Sequence, residues 1–248
     1  MGINLRPIDR AKAISGLISE EALASERLGR LTDSVSAALL EANLFSIVVP
    51  EADGGFGGTR VELFEAVEEI ARADGSADWC AAICNGINAF ICKGATAEAR
   101  REVFGDGPVA CWATLLPKGN SVEADNGFCV SGNFAWGSGS SLARWVLVPA
   151  RLKDRDGQQW FRAHLLPRED VQIKEGSWDV MGLRATASVD YTIIDKFVPE
   201  HRTFEYPFLL FLPGDNRQKV TARDLTEFGQ LGMVAFASGI GSRVLADT

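Results

Sequence analysis

The chain has 248 residues, 46% hydrophobic and 23% charged, the balance of a folded globular protein and not of a disordered or collagen-like one. Its 25 Lys and Arg against 33 Asp and Glu leave a net charge of −8, which disfavours a nucleic-acid partner and a polybasic membrane anchor. The most apolar long stretch, Leu231 to Gly241, is too short for a bilayer span, so no membrane partner is expected.

The N-terminus, MGINLRPIDRAKAISG, lacks the continuous apolar core of a secretory signal. Cys80, Cys84, Cys92, Cys111 and Cys129 are therefore read as reduced thiols of a cytoplasmic protein. From about residue 8 to about 104, apolar residues fall at helical spacing: Ala13, Ile14, Leu17 and Ile18, then Leu31, Val35, Ala38 and Leu39. VPEADGGFGGTR interrupts the pattern, and VELFEAVEEIARA resumes it with Leu63, Val67 and Ile70 on one face. ADWCAAICNGINAFICKG follows, with Ser76 as the expected cap and Asp78 in the first turn. ATAEARREVFG closes the series between Thr96 and Gly105.

From about 108 to about 200 the period becomes two. Strands are expected in VACWATL, GFCVSGNFAWG, RWVLVPARL, QWFRAHLLP, VQIKEG and ASVDYTIIDKFVP. The turn signals between them are Pro-Lys-Gly-Asn, Asp-Asn-Gly, Gly-Ser-Gly-Ser-Ser and Asp-Arg-Asp-Gly. From about 222 a helix returns, with Leu231, Val234, Ala235, Ile240, Val244 and Leu245 as its apolar stripe. Gly232, Ala237, Ser238, Gly239 and Gly241 would let it pack closely. Such a stripe needs a surface to lie on; its partner is expected to be missing from this chain or supplied by another subunit. The fold class is thus α+β and multidomain. A helical domain spans 1–107, an antiparallel β-barrel or sandwich spans 108–205, and 206–248 holds a linker and the first helix of a truncated C-terminal bundle.

Common chemical signatures are absent. No phosphate-binding G-x-x-x-x-G-K-[ST] occurs, and GIGSRV lies inside a helical pattern and not after a strand. His164 and His201 lack ligand spacing and read as surface or hydrogen-bonded side chains, so no metal is expected. Cys80 and Cys84 read as small buried hydrophobes. The amides of GGFGG fit either a phosphate cradle or a structural loop. Between Val109 and Arg151, Trp112, Trp136, Trp145, Phe128 and Phe134 alternate with Thr114, Ser121, Ser131, Ser138, Ser140 and Ser141. Flat aromatic walls with hydroxyl donors suit a planar heteroaromatic ligand, and a barrel core with Ser-rich turns accounts for the composition equally.

Four segments carry a resemblance: VPEADGGFGG, ATLLPKGNS, VSGNFAWGSGSSLARWVLV and MGLRATASVDYTIIDKFVPEHR. In that order and spacing the chain resembles the acyl-CoA dehydrogenase fold superfamily. Within it, the likeness is to the two-component flavin-dependent monooxygenases (group D hydroxylases), which take reduced flavin from a separate reductase. The resemblance implies reduced FMN or FAD as cofactor and O2, a small organic substrate and a flavin reductase as partners. It implies hydroxylation or N-oxidation through a C4a-hydroperoxyflavin, and a homo-oligomer, typically a homotetramer.

By the same resemblance Trp112 lies against the flavin and Trp136 packs on its ring. Leu115 contacts the ring through its backbone, Ser121 lies near the phosphate, and Arg184 either touches the cofactor or forms an ordinary ion pair. Ser138 reaches the flavin N5 edge and is the expected catalytic residue. Asn85 and Asn88 are expected to bind substrate or to lie on a helix surface. Leu115 and Leu116 replace the Thr-Glu of the dehydrogenases, which favours oxygenase chemistry. Phe134 and Trp136 invert the monooxygenases' Trp and Phe order. The family's catalytic Glu or His is usually supplied by the C-terminal bundle and is expected outside this chain. An acyl-CoA dehydrogenase-type oxidoreductase and a truncated non-catalytic paralogue or fragment are the alternatives.

Overall fold

The computed structural model describes residues 5–153, 159–206 and 222–248. The turn expected at Asp154 to Gly157 and the linker from 207 to 221 lie outside the described residues. Five helices come first: α1 (Pro7–Leu28), α2 (Asp33–Glu41), α3 (Arg60–Ala73), α4 (Gly75–Gly94) and α5 (Ala97–Phe104). Local chemistry sets their ends. Pro7 opens α1, where its missing N–H costs nothing, and Gly29 closes it at φ +71°. Thr32 and Thr96 cap α2 and α5 through their side-chain oxygens. Thr59 and Glu62 form a reciprocal capping box at the start of α3. The cap of α4 is Asp74 and not Ser76: its carboxylate accepts from the Ala77 N–H at 2.8 Å, and the helix begins at Gly75.

The GGFGG loop proves structural. The amides of Gly54, Gly55, Phe56, Gly57 and Gly58 all donate to carbonyls of Ser46, Ile47, Val49, Pro50 and Glu51, so none is left for a phosphate. A Cβ at Gly55 would stand 2.2 Å from the Val49 carbonyl oxygen, so the close approach itself requires glycine there.

Strands β1 (Cys111–Ala113), β2 (Gly119–Ala124), β3 (Gly127–Gly137), β4 (Trp145–Lys153), β5 (Gln159–Pro167), β6 (Gln172–Ile173), β7 (Val189–Pro199) and β8 (Thr203–Glu205) form one sheet. Its order is β6-β7-β3-β2-β4-β5-β8, with β1 alongside β4. Most pairs are antiparallel as expected, but β1 and β2 each run parallel to β4. β2 begins inside the expected Pro-Lys-Gly-Asn turn, and the three-residue β8 is held by its pairing with β5. β8 is too short to show a period of its own, and β2, GNSVEA, alternates in burial only over its first half.

The last helix, α6 (Ala222–Ala246), lies on α3 and α4 of the same chain, so one face has its partner here. Gly232 faces Ala82, and a Cβ at Gly239 would lie 2.4 Å from the Ala71 Cβ. The Arg243 guanidinium donates to the carbonyls of Arg72 and Ala73, filling the open C-terminus of α3. Of the expected stripe, Ala235 is buried and Leu231 and Ile240 half-buried, whereas Val234, Val244 and Leu245 are exposed. No described helix is long and apolar enough to cross a membrane.

Two apolar cores meet at α4. One joins α1 to α4 with the inner side of β3, β4 and β7; the other joins α4 and α5 with β1, β4, β5 and β8. α4 is therefore anchored on both sides, and one remaining strip of it is free to line a site.

Candidate active site

That strip carries Trp79, Ala82, Ile83, Gly86 and Ile87, which recur at helical spacing. It forms one wall of a cavity of about 350 Å³. Opposite stand Ala113 to Leu116, the run leaving β1, together with Trp136 and Ser138. Gly229, Gly232 and Met233 of α6 complete the lining. The size falls within the usual range for small-molecule sites, and most of the lining is apolar.

Trp136 is held open to the cavity by its backbone. The β3–β7 register shifts between Phe134 and Gly137, and Trp136 adopts φ +63°. A bulky residue in the left-handed region is uncommon and costs energy. The result is an indole 62% exposed, with the Lys118 ammonium 5.8 Å from its ring centre. Behind it, Trp112 fills the space over Gly137, where a Cβ would lie 2.3 Å from the indole.

The polar edge of the cavity is a hydroxyl chain. Trp79 donates its indole N–H to Ser138 Oγ at 3.1 Å. Ser138 Oγ lies 2.7 Å from Ser188 Oγ, and Ser188 Oγ lies 2.7 Å from Thr186 Oγ1. Thr186 donates to the Leu183 carbonyl at 2.8 Å. Thr186 sits in a tight helical turn flanked by Leu183 at φ +58° and Ala187 at φ +45°, which turns these side chains towards β3. Ser140 Oγ donates to the Ala187 carbonyl at 2.7 Å and fastens the turn.

Of the expected site residues, Leu115, Trp136 and Ser138 come together on this cavity. The others do not line it. Trp112 is fully buried in the core, its ring centre 4.6 Å from that of Tyr191, so it cannot touch a bound ring. Ser121 is buried in the sheet 3.0 Å from His164 Nε2. The opposite His164 nitrogen, Nδ1, faces the Val148 carbonyl at 3.2 Å and carries the ring proton, so Ser121 must donate to Nε2. It has no proton left for a phosphate. Arg184 spends its guanidinium on Asp179 and the Val180 carbonyl, the ordinary ion-pair outcome. Asn85 and Asn88 are neither substrate contacts nor surface residues: both are fully buried. Asn85 clamps Leu44, Ile47 and Ala81, and Asn88 binds the Phe45 and Val109 carbonyls. They fasten the loop after α2 to α4.

Trp79, Ser188, Thr186 and Met233 belong to the site and received no role from the sequence. Trp79 was legible as the first residue of the α4 strip. Thr186 and Ser188 stand in RATAS beside Arg184, and only the fold shows which of the three faces Ser138.

Comparison with known proteins places the chain. The model of the acyl-CoA dehydrogenase N-terminal domain matches residues 15–106. The oxygenase subunit HsaA of a flavin-dependent monooxygenase from Rhodococcus jostii (strain RHA1) is 32% identical over 217 residues, 87% of this chain and 56% of that protein. The oxygenase component of an FADH(2)-dependent resorcinol hydroxylase from Rhizobium sp. (strain MTP-10005) is 31% identical over 205 residues, 82% of this chain and 50% of that protein. The crystal structure of the HsaA monooxygenase from M. tuberculosis superimposes with a TM-score of 0.83 at 27% identity, over 97% of this chain and 67% of that one. The chain spans about half the length of the curated relatives it matches. With this element order and these matches, the chain has the fold of the acyl-CoA dehydrogenases and is similar to the oxygenase components of two-component flavin-dependent monooxygenases.

Proposed function

We propose that the chain is the flavin-handling part of such an oxygenase component. It takes reduced FMN or FAD from a separate flavin reductase and uses O2 to hydroxylate or N-oxidise a small organic substrate. The observation that carries this reading is the cavity, with an exposed indole face at Trp136, a hydroxyl edge at Ser138 and otherwise apolar walls. A planar, largely apolar ring system with a polar edge fits those groups. A bound reduced flavin supplies the electrons that activate O2, one oxygen atom going to the substrate and the other leaving as water.

The residues of the chain do the rest. Trp136 would offer a bound ring a stacking face, Leu115 and Leu116 would line its surroundings, and Ile83, Ile87 and Met233 would keep water out. Ser138 would offer its oxygen to the polar edge of such a ring. A dehydrogenase needs a carboxylate base beside the substrate, and among the described residues no Asp or Glu lines the cavity. The same reading divides the chain near 107 and 205 and makes the active protein a homo-oligomer.

Anaerobic titration with reduced FMN and FAD, followed by quenching of tryptophan fluorescence, tests it. Saturable quenching is expected, and Trp136→Ala should weaken binding about tenfold through loss of the stacked face. Failure of both flavins to bind overturns the reading. Turnover of an acyl-CoA with an artificial electron acceptor would replace it with a dehydrogenase.

A further inference from the structure

The hydroxyl chain behind Ser138 has a fixed direction. Each hydroxyl carries one proton and two acceptor lone pairs. Thr186 Oγ1 is 2.8 Å from the Leu183 carbonyl, a hydrogen-bond separation between two oxygens of which only the hydroxyl has a proton, so the Thr186 proton lies there. The 2.7 Å contact between Ser188 and Thr186 must then use the Ser188 proton. The 2.7 Å contact between Ser138 and Ser188 must in turn use the Ser138 proton. On its other side Ser138 already accepts the Trp79 N–H. What it has left for the cavity is a single lone pair and no proton.

We propose that Ser188 and Thr186 are positioning residues that hold Ser138 as a pure acceptor, so that the site selects a ligand edge carrying an N–H. This rests on the flavin reading above. Reduced flavin bears a proton on N5, whereas oxidised flavin presents a bare N5 lone pair. An acceptor facing the reduced ring is satisfied; facing the oxidised ring, it meets another acceptor, and both lose a hydrogen bond that water would have given. The site therefore discriminates between the two oxidation states of one cofactor by the orientation of a proton three residues deep in the wall. Such discrimination suits a protein that receives reduced flavin from solution, where the oxidised form competes for the same cavity. The left-handed residues Leu183 and Ala187 are part of the device, because they fix the turn that aims Thr186 and Ser188 at Ser138.

The test compares dissociation constants of reduced and oxidised FMN and FAD, measured anaerobically on the full chain, and the midpoint potential of the bound flavin. The wild type should bind the reduced form more tightly. In Ser188→Ala the Ser138 proton loses its acceptor and is free to turn into the cavity. Oxidised flavin should then bind about tenfold more tightly, in line with one recovered hydrogen bond. A tenfold change in the ratio lowers the two-electron potential of the bound flavin by about 30 mV. Thr186→Val should act in the same direction by releasing the Ser188 proton, and it serves as the second variant if Ser188→Ala does not fold. Ser188→Thr and Thr186→Ser keep the hydroxyls and should keep the wild-type ratio. Should both flavins bind while Ser188→Ala and Thr186→Val leave ratio and potential unchanged, the relay sets no preference and the inference fails. A wild type that binds neither flavin brings down the flavin reading instead.

Discussion

Asp78 is the least compensated buried group among the described residues. Both of its carboxylate oxygens are buried without a hydrogen-bond partner, one residue before the Trp79 that lines the cavity. Burial, and then the neighbouring Asp74, push its pKa up to about 8. An unfolded Asp titrates near about 4. Between those values the unfolded chain has lost a proton that the native chain keeps, so this contribution to stability is full below pH ~4 and falls until the pH passes about 8. His164 works in the opposite sense. Burial lowers its pKa from 6.5 to about 4, so its contribution is lost as the pH falls through that window. Above pH 6.5 the Asp78 slope is therefore unopposed by His164. Denaturant midpoints measured at pH 6.5 and pH 8 should fall for the wild type and hold nearly level for Asp78→Asn. Equal slopes in both proteins would show that Asp78 is ionised in the native state. The sequence placed Asp78 in the first turn of a helix, where a carboxylate is usually solvated; in the fold it is fully buried, an outcome with no local signature.

The elements that build the cavity are joined by close approaches that depend on absent side chains. α6 reaches α3 at Gly239, where a Cβ would lie 2.4 Å from the Ala71 Cβ and 2.5 Å from the Glu68 carbonyl oxygen. Gly239→Ala should push α6 away from α3, costing about 1–3 kcal/mol and weakening ligand binding through displacement of Gly232 and Met233. Gly241→Ala is the matched control: nothing lies within 4 Å of its Cβ position, and it should stabilise the helix by about 0.5–1 kcal/mol. Chemical denaturation of the two variants side by side checks both signs. The stripe of small residues in α6 was visible from composition, and so was its need for a partner. That the partner is α3 and α4 of the same chain was not, because the pairing spans more than 150 residues of sequence.

For the molecule as a whole, the cavity lies between helices and sheet: α4 and α6 line it from one side, β1 and the end of β3 from the other. A molecule bound there stabilises both at once. Reduced flavin at one hundred times its dissociation constant should add about 2.7 kcal/mol to the unfolding free energy. The thermal midpoint should rise accordingly, measured by anaerobic scanning calorimetry at two ligand concentrations. A midpoint that does not move with flavin concentration would exclude binding of reduced flavin to the native chain.

The amino-acid pattern alone determined the succession of helices, strands and final helix, because hydrophobic period and helix caps are local properties. It also determined the flavin-fold resemblance and three of the cavity residues, Leu115, Trp136 and Ser138, since each stands inside a recognisable segment. Tertiary structure decided which aromatic and polar residues are walls and which are core. Trp112 and Trp136 are alike in sequence context, yet one is sealed behind Gly137 and the other turned out by a register shift. Ser121 lies in β2 and Ser138 in the turn that leaves β3, and their roles differ because one meets His164 and the other meets Ser188 and Trp79. Those partners are brought in from distant strands and helices, and burial and hydrogen-bond direction exist only once the distant segments have met.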